Sequence, residues 1–389
     1  MKILFLANYD PFRPRTNQIS DLRFCEGFAE NGIELNYVAP FVYRKNNLKY
    51  RTLFESYGIK FSYKMTILWT PLIDDCSKFI ALPILFAYYT GYLFFYSIYN
   101  IHKEYFIISR YPYILLINIF FVNLFRKKRK IKNILWAHEI CTSHKIYDYV
   151  YTHVDGIIGT NSYINRQFRE KYGINQSRLV ISLNPISSSQ INNVMTKQDA
   201  RQILNIKDDV KLAVYTGKLY TGQKEIEYIL EAAKQLKRIT FLFTGGKPDV
   251  VRHYLEFCEI RGISNTFFTG FIEDYKNVQI YQIAADVLIS YYTRQDHLVE
   301  YNYPQKITEY MLSGNPIVTP NFEATRDVLN GKNAIFVQPE NVDSLVQGLN
   351  LAIFNPEFSN RIGQQAREDV QLLTFKNMTT HIIQFLNKL

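Results

Sequence analysis

The stretch Tyr303-Pro304-Gln305-Lys306-Ile307-Thr308-Glu309-Tyr310-Met311-Leu312-Ser313-Gly314-Asn315-Pro316-Ile317-Val318 predicts a short helix that runs into a buried strand. Pro304 suits the first turn of a helix, and Gly314 suits the position just after its end. Lys306 and Glu309 lie three residues apart and therefore share one face of this helix. The stretch thus places one cation and one carboxylate on the first turns of a helix that leads into a sheet.

Short apolar runs alternate with amphipathic stretches along the whole chain, which is typical of parallel sheets covered by helices on both faces. In the first half we predict strands at 2–7, 34–39, 105–109, 133–137, 155–160 and 179–183. In the second half we predict strands at 211–216, 240–244, 266–269, 286–290, 315–319 and 334–337. The predicted fold class is therefore α/β, with two doubly wound, Rossmann-like domains facing a central cleft, where ligands bind at the carboxyl ends of strands.

The length of 389 residues also favours two domains, because it exceeds what one ordinary core of roughly 150–200 residues accounts for. The Asn184-Pro185 step and the serines at 187–189 interrupt the alternation and predict a linker. We therefore predict one domain over residues 1–186 and a second over residues 187–371.

The charge of the chain is uneven. The formal net charge is +10, and 24 Lys and Arg oppose 13 Asp and Glu up to Gln190, so all of the excess lies in the first half. Such a surplus suits nucleic acid, anionic lipid or an acidic substrate, and its plain alternative is a solvated basic face. The run at 126–130 lacks the interleaved aromatic residues of a nucleic-acid surface, so no nucleic-acid partner is predicted. The four cysteines have no metal-ligand spacing, which favours a reducing cytoplasm and no metal site.

Two long uncharged runs, at 79–101 and 111–125, leave three interpretations open: buried helices, helices docked on a membrane surface, and a true membrane span. The second run ends directly in the basic cluster at 126–130, the pattern of a helix lying on an anionic bilayer. Buried helices are the favoured interpretation, and peripheral association of the segment 79–130 with an anionic membrane is the alternative to be tested. The short apolar run at 3–7 is interpreted as a first buried strand rather than a secretion signal.

A second motif, Gly217-Lys218-Leu219-Tyr220-Thr221-Gly222-Gln223-Lys224, follows a predicted strand and leads into a helix. A strand-end glycine lets the backbone approach a phosphate, and the helix start adds free N–H groups and a positive dipole end. Lys218 and Lys224 would stabilise a nucleoside diphosphate leaving group, while Glu309 would grip two adjacent ribose hydroxyls. The alternatives are ordinary surface lysines at 218 and 224 and an exposed ion pair between Lys306 and Glu309.

Other polar and glycine residues fall at the same predicted edges. Gly245-Gly246 and Gly270-Phe271 follow two strands of the second half, and His138 follows a strand of the first half. We interpret His138 as a ligand for a sugar hydroxyl or for charge at the reacting carbon, with a purely structural histidine as the alternative. The first loop would touch diphosphate or acceptor through Asp10, Arg13, Arg15, Thr16 and Asn17.

Taken together, these motifs resemble glycosyltransferase family 4, a group of retaining enzymes with the GT-B fold, and the resemblance is strongest from about 211 to 343. In that family a strand ends in Gly-Arg-Leu with a lysine six residues after the arginine; Gly217-Lys218-Leu219 and Lys224 keep the spacing with Lys for Arg, which loses the bidentate fork. Of the family's two glutamates, eight residues apart, Glu309 matches the second, and Tyr301 stands at the first. The chain instead resembles the branch whose loop reads Pro-x-Lys-x-x-Glu-Tyr-Met, matched by Pro304, Lys306, Glu309, Tyr310 and Met311.

The resemblance implies a function for each motif. It implies catalytic roles for Lys218, Lys224, His138 and Glu309. It implies donor binding by Gly217, Gly245, Gly246, Gly270, Phe271, Tyr303, Pro304, Lys306 and Glu309. It also implies that a C-terminal helix at 372–389 completes the first domain. The glycine pair usual in the family's first loop is replaced here by Pro11 to Thr16, so the acceptor is not carried over.

The expected activity is therefore a retaining, metal-independent hexosyl transfer from a nucleoside diphosphate sugar to a glycan or lipid-linked acceptor, without a cofactor. The expected setting is cell-surface polysaccharide synthesis (capsule, O-antigen or exopolysaccharide) in the cytoplasm, at the inner face of the membrane. A sugar-nucleotide epimerase of the same architecture and a donor-binding protein without transferase activity remain as alternatives. The sugar, base and linkage are not predicted.

Overall fold

A computed structural model describes residues 1–9, 16–41, 58–59, 63–69, 78–99, 104–125, 131–140, 145–191, 195–295, 299, 301 and 304–389. The chain forms two compact units, of which one contains Met1–Leu183 together with Phe375–Leu389 and the other contains Asn184–Thr374. The sequence analysis placed the divisions after residues 186 and 371. Where it predicted a linker, the structure has a one-turn helix, Ser188–Ile191.

The first unit is built on a parallel sheet with the strand order β3-β2-β1-β4-β5-β6-β7 within the described residues. Its strands are β1 Lys2–Leu6, β2 Glu34–Phe41, β3 Lys64–Trp69, β4 Tyr105–Ser109, β5 Ile131–Ala137, β6 Gly156–Gly159 and β7 Leu179–Ile181. Its helices are α1 Thr16–Glu30, α2 Lys78–Tyr99, α3 Pro112–Phe125, α4 Lys145–His153 and α5 Ser162–Tyr172. The order reverses between β1 and β4, and ligands bind at such a switch point in doubly wound sheets.

The last helix packs against the first. Gly27 of α1 lies so close to this C-terminal helix, Phe375–Leu386, that an added Cβ would meet the carbonyl oxygen of Phe375 at 2.6 Å. Asn31 donates a hydrogen bond to the carbonyl oxygen of Lys376 at 2.8 Å, which ties the end of α1 to the same helix. The contact buries Phe385 in the core of the first unit, so this helix is part of that unit.

The second unit is a parallel sheet with the order β10-β9-β8-β11-β12-β13. Its strands are β8 Leu212–Thr216, β9 Thr240–Thr244, β10 Thr266–Phe268, β11 Val287–Ile289, β12 Ile317–Pro320 and β13 Ile335–Val337. Its helices from Ser188 onward are α6 Ser188–Ile191, α7 Lys197–Ile203, α8 Lys224–Gln235, α9 Pro248–Arg261, α10 Tyr275–Ala284, α11 Lys306–Ser313, α12 Val342–Phe354 and α13 Pro356–Gln371. The switch point of this sheet lies between β8 and β11, and α11 begins near it.

The two uncharged runs form α2 and α3. Each helix has a buried face, with Tyr89 and Leu93 on α2 and Ile114 and Leu115 on α3. Among the residues that the structure describes, no helix has the length and apolar character that crossing a membrane requires.

Candidate functional site

Three strand ends of the second unit meet through their backbones. The N–H of Gly217 donates to the carbonyl oxygen of Thr244 at 3.1 Å, and the N–H of Gly245 donates to that of Gly270 at 2.9 Å. Gly245 has φ of 119°, and a Cβ there would lie 1.9 Å from the carbonyl oxygen of Gly217. The ends of β8, β9 and β10 therefore form one edge that only glycine permits, and Gly246 extends it with φ of 89°. We call Gly217, Gly245, Gly246 and Gly270 the glycine edge.

The loop between this edge and α8 is held in one conformation by a tyrosine and a glutamine. Tyr254 donates to the carbonyl oxygen of Tyr220 at 2.6 Å and accepts from the N–H of Gln223 at 3.3 Å. The side chain of Gln223 accepts from the N–H of Tyr220 at 2.7 Å. No side chain caps the start of α8, so this helix start retains the anion-binding character that its dipole confers.

The two lysines of the Gly217–Lys224 motif have different environments. Lys218 is exposed beside Gly217, whereas Nζ of Lys224 lies 2.9 Å from a carboxylate oxygen of Glu227, one turn along α8. Because this pair is about half exposed, it contributes little to stability. Glu225 and Glu227 also place negative charge in the first turn of α8, so a diphosphate there competes with them for Lys224.

Lys306 is enclosed by aromatic rings. Its Nζ lies 3.9 Å from the ring centroid of Tyr215, at the end of β8, and 4.9 Å from that of Tyr292, which follows β11. Burial lowers the pKa of Lys306 to about 7, although the carboxylates of Glu225 and Glu309 act in the opposite direction. The structure therefore does not show the exposed ion pair that was the alternative interpretation of Lys306.

Glu309 lies on the same first turns of α11. Gln282 of α10 bridges it to the end of β8, since its Nε2 lies 3.4 Å from the carboxylate and donates to the hydroxyl of Thr216 at 3.1 Å. Glu309 also lines an open cavity together with Leu312 of α11 and Arg367 of α13. The carboxylate thus lies one side chain away from the strand end that carries Gly217.

In the first unit, His138 follows β5 and is buried against Arg110, which follows β4. Nη2 of Arg110 lies 2.6 Å from Nε2 of His138, and Nη1 lies 3.3 Å from the carboxylate of Asp21 on α1. Burial and the adjacent guanidinium lower the pKa of His138 well below its usual value, so the ring is neutral and accepts a hydrogen bond. Burial raises the pKa of Asp21 to about 6, against the opposing effect of Arg110. The ring of Trp136 packs edge-to-face with the imidazole and lies under the guanidinium.

The other predicted site residues divide into two groups. Phe271 is 75% exposed next to the glycine edge, and Pro304 directly precedes the turn that opens α11. Asp10, Arg13, Arg15 and Tyr303 lie outside the described residues, and for Thr16 and Asn17 only the backbone, at the start of α1, is described. Over the described part of the chain, no group of three His, Cys, Asp or Glu side chains forms a metal site.

The sequence analysis missed several residues of these two clusters. Arg110 follows a predicted strand as directly as His138 does, so the same strand-end argument identifies it. Glu225 stands beside Lys224, but only the fold shows that it faces Lys306. Tyr215 belongs to β8 and Tyr292 follows β11, two strands that pair with each other but are far apart in sequence, and no local pattern signals such a pair.

The comparison with known protein families gives a match within the second unit. Residues 196–369 match the family model "Glycosyl transferases group 1". The chain is 27% identical over 179 residues to an uncharacterized glycosyltransferase, MJ1607, of Methanocaldococcus jannaschii, a match that covers 45% of this chain and 44% of that protein. The chain thus spans less than half the length of this curated relative.

Solved structures resemble the whole chain in fold. Sucrose-phosphate synthase from Thermosynechococcus elongatus superposes with a TM-score of 0.71 at 16% identity, over 100% of this chain and 98% of that one. Anabaena Alr3699/HepE, solved in complex with UDP, superposes with a TM-score of 0.72 at 15% identity over 100% of both chains. A glycosyltransferase from Rickettsia africae superposes with a TM-score of 0.71 at 12% identity, over 100% of this chain and 98% of that one. The predicted α/β fold class with Rossmann-like domains of GT-B type is thereby confirmed.

Proposed function

We propose that this chain is a retaining glycosyltransferase that moves a hexose from a nucleoside diphosphate sugar to a glycan or lipid-linked acceptor. The glycine edge carries the proposal, because it brings three strand ends together as bare backbone beside Lys218 and an uncapped helix start. A diphosphate needs this combination: close backbone approach, N–H groups and cations. Glu309 lies close enough to the same edge to hold the ribose.

The chemistry proposed for the second unit is stabilisation of the leaving group. Lys218 and Lys224 would meet the negative charge that develops on the diphosphate as the bond to the sugar breaks, so transfer needs neither a metal nor another cofactor. Lys218 stands where the family has Arg, so it would supply a point charge in place of a bidentate guanidinium group. The finer assignment to glycosyltransferase family 4 rests on the motifs named above.

The acceptor would bind to the first unit, at the switch point of its sheet. His138 and Arg110 lie at the carboxyl ends of β5 and β4, where such sheets bind ligands. Because His138 is neutral, it is suited to hydrogen-bond a sugar hydroxyl rather than to carry a charge.

A membrane-linked acceptor agrees with the aromatic surface of the first unit. Tyr88 and Phe95 lie one above the other on α2 and are 41% and 70% exposed, while Phe120 on α3 is 56% exposed. We propose that these helices, followed in sequence by the basic run at 126–130, rest on an anionic membrane at its cytoplasmic face during cell-surface polysaccharide synthesis.

Flotation with phosphatidylglycerol vesicles, compared with phosphatidylcholine vesicles, tests this membrane association. Phe95→Asp should abolish binding, and Phe354→Asp, at a 53% exposed position in the second unit, should not.

The experiment that tests the activity is a panel of uridine, guanosine and adenosine diphosphates and their sugars, followed by calorimetry and then by a turnover assay. The nucleotides of one of the three bases should bind. Lys218→Ala should weaken this binding, whereas substitution of Lys237, an exposed lysine between α8 and β9, by Ala should not. An epimerase would instead convert the donor alone into an isomer. A donor-binding protein without activity, which the tyrosine at position 301 would suit, would bind without turnover under any acceptor mixture. The absence of binding by every nucleotide would refute the donor site.

A further inference from the structure

The ammonium group of Lys306 has an environment unlike that of the other two lysines at the glycine edge. It is held by Tyr215 and Tyr292 through cation–π contacts at 3.9 and 4.9 Å. Tyr215 is buried and belongs to β8, and Tyr292 lies three positions beyond β11, so the two rings flank the switch point of the sheet. Lys306, the first residue of α11, therefore reaches back to the point where a ligand of such a sheet binds.

The position of Nζ relative to Gly217 defines its reach. A Cβ built on Gly217 would lie 3.5 Å from Nζ of Lys306 and 3.3 Å from the hydroxyl oxygen of Tyr215, so both groups border the space that the absent side chain leaves. A phosphate that approaches the backbone at Gly217 therefore comes within contact distance of this ammonium group. Lys218, in the loop that follows Gly217, and Lys224, at the end of that loop, are both exposed.

The groups facing Lys306 come from every element packed around it. Glu309 on its own helix and Glu225 at the start of α8 favour the charged form, whereas enclosure by the rings disfavours it. The hydroxyls of Tyr215, Tyr292 and Tyr310 stay neutral, because burial raises the pKa of each. The balance leaves the pKa of Lys306 at about 7, so the group is about half protonated near neutral pH.

We propose that Lys306 is a third cation of the diphosphate site and that its protonation is completed from solvent when a nucleoside diphosphate binds. This rests on the proposed function, since it deepens the donor site. Two or more negative charges next to Nζ favour the ammonium over the amine and complete its protonation. The protonated group then faces the phosphate oxygens that gain charge when the sugar leaves. Release of the nucleotide returns the proton to solvent.

Calorimetry in buffers of low and high ionisation enthalpy measures this proton directly. Uridine, guanosine and adenosine diphosphate are titrated in turn, and the one that binds is compared between the wild type and Lys306→Arg, whose side chain stays charged throughout. The comparison removes the nucleotide's own titration from the result. We expect the wild type to take up about half a proton more than Lys306→Arg at pH 7, and nearly one more at pH 8.

A second variant separates binding from folding. Lys306→Met keeps the apolar stem between the rings and should weaken binding of the diphosphate at least tenfold while leaving the nucleoside unaffected; Lys234→Met on the exposed last turn of α8 is the control. Equal proton uptake in wild type and Lys306→Arg, or unchanged diphosphate affinity in a folded Lys306→Met, would overturn the inference while leaving the donor site intact. If none of the three nucleotides binds, the proposed function fails and this inference fails with it.

Discussion

The hydroxyl of Tyr310 lies 2.9 Å from the backbone nitrogen of Thr216 and accepts a hydrogen bond from it. Thr216 ends β8 immediately before Gly217, and Tyr310 follows Glu309 on α11, one turn after Lys306. The threonine hydroxyl contacts the same phenol at 3.1 Å, and both residues are buried. One side chain therefore fixes the helix that carries the lysine and the carboxylate to the strand end that carries the glycine. Two motifs separated by about ninety residues become a single site through this bond.

Replacing Tyr310 by Phe should destabilise the second unit and weaken donor binding together. The change leaves the buried N–H of Thr216 without its acceptor, which costs about 1–3 kcal/mol. Because α11 loses its tie to β8, Glu309 and Lys306 shift relative to Gly217, and we expect nucleotide affinity to fall several-fold. Urea unfolding followed by calorimetry measures both effects.

Tyr228→Phe is the matched control for this change. Tyr228 is partly buried in the same unit, with its ring 5.7 Å from that of Tyr291, so its loss of a hydroxyl should alter stability by less than about 0.5 kcal/mol. Equal losses in the two variants would mean that the bond to Thr216 has no special role.

The strand pattern was predictable because apolar runs report burial directly. Each of the twelve predicted strands corresponds to an observed one, but β3 was missed. Among the described strands β3 lies at the edge of the first sheet and pairs with β2 alone, so its six residues need little of the hydrophobic pattern that marks a central strand. The glycine edge was also predictable, since it follows from strand ends alone.

The charge states in the site were not predictable from the sequence. An exposed ion pair was an alternative interpretation of Lys306 because its spacing from Glu309 is local, whereas the rings that enclose it come from two other elements. Likewise, the neutrality of His138 depends on Arg110, which the fold brings to it from a neighbouring strand. Local patterns report which residues share a face, but not the burial that decides ionisation.

Lys218→Ala and Lys224→Ala should each lower turnover by about two orders of magnitude, because each removes a charge that stabilises the leaving diphosphate. The structure adds a finer test, since Glu227 holds the ammonium group of Lys224 at 2.9 Å. Glu227→Gln removes this competitor and should tighten diphosphate binding a few-fold. Steady-state kinetics and calorimetry provide the measurements. Near-normal turnover in folded Lys224→Ala would remove that residue from the mechanism.

His138 should make the first unit less stable at mildly acidic pH. Its pKa is depressed in the folded state, so below about pH 6.5 the unfolded chain binds a proton that the folded chain excludes, and stability falls as the pH falls. Asp21 acts in the opposite direction, because its raised pKa lets the folded state bind the extra proton between its ordinary value of 3.8 and about 6. Asp21 contributes equally to the stability of the wild type and of His138→Asn, so its effect cancels in the difference between their stabilities.

Thermal unfolding of both proteins from pH 7.5 to pH 5 isolates the histidine. The stability of the wild type relative to His138→Asn should decline as the pH falls, by at most about 1.4 kcal/mol per pH unit. A flat difference over that range would mean that the ring is protonated in the folded protein, and the contact with Arg110 would then have to be repulsive.

Gly245→Ala should abolish donor binding, and Gly331→Ala should have no effect. At position 245 the new methyl group would lie 1.9 Å from the carbonyl oxygen of Gly217, on a backbone with φ of 119° that alanine rarely adopts. The strand ends must then separate, at a cost of about 3 kcal/mol or more to the second unit. At position 331 no atom lies within 4 Å of an added Cβ, so the same substitution there controls for the loss of a glycine. Calorimetry with the nucleotide that binds measures donor binding, and urea unfolding measures stability. A Gly245→Ala protein that folds and binds normally would show that the backbone contact of β8, β9 and β10 does not form the diphosphate site.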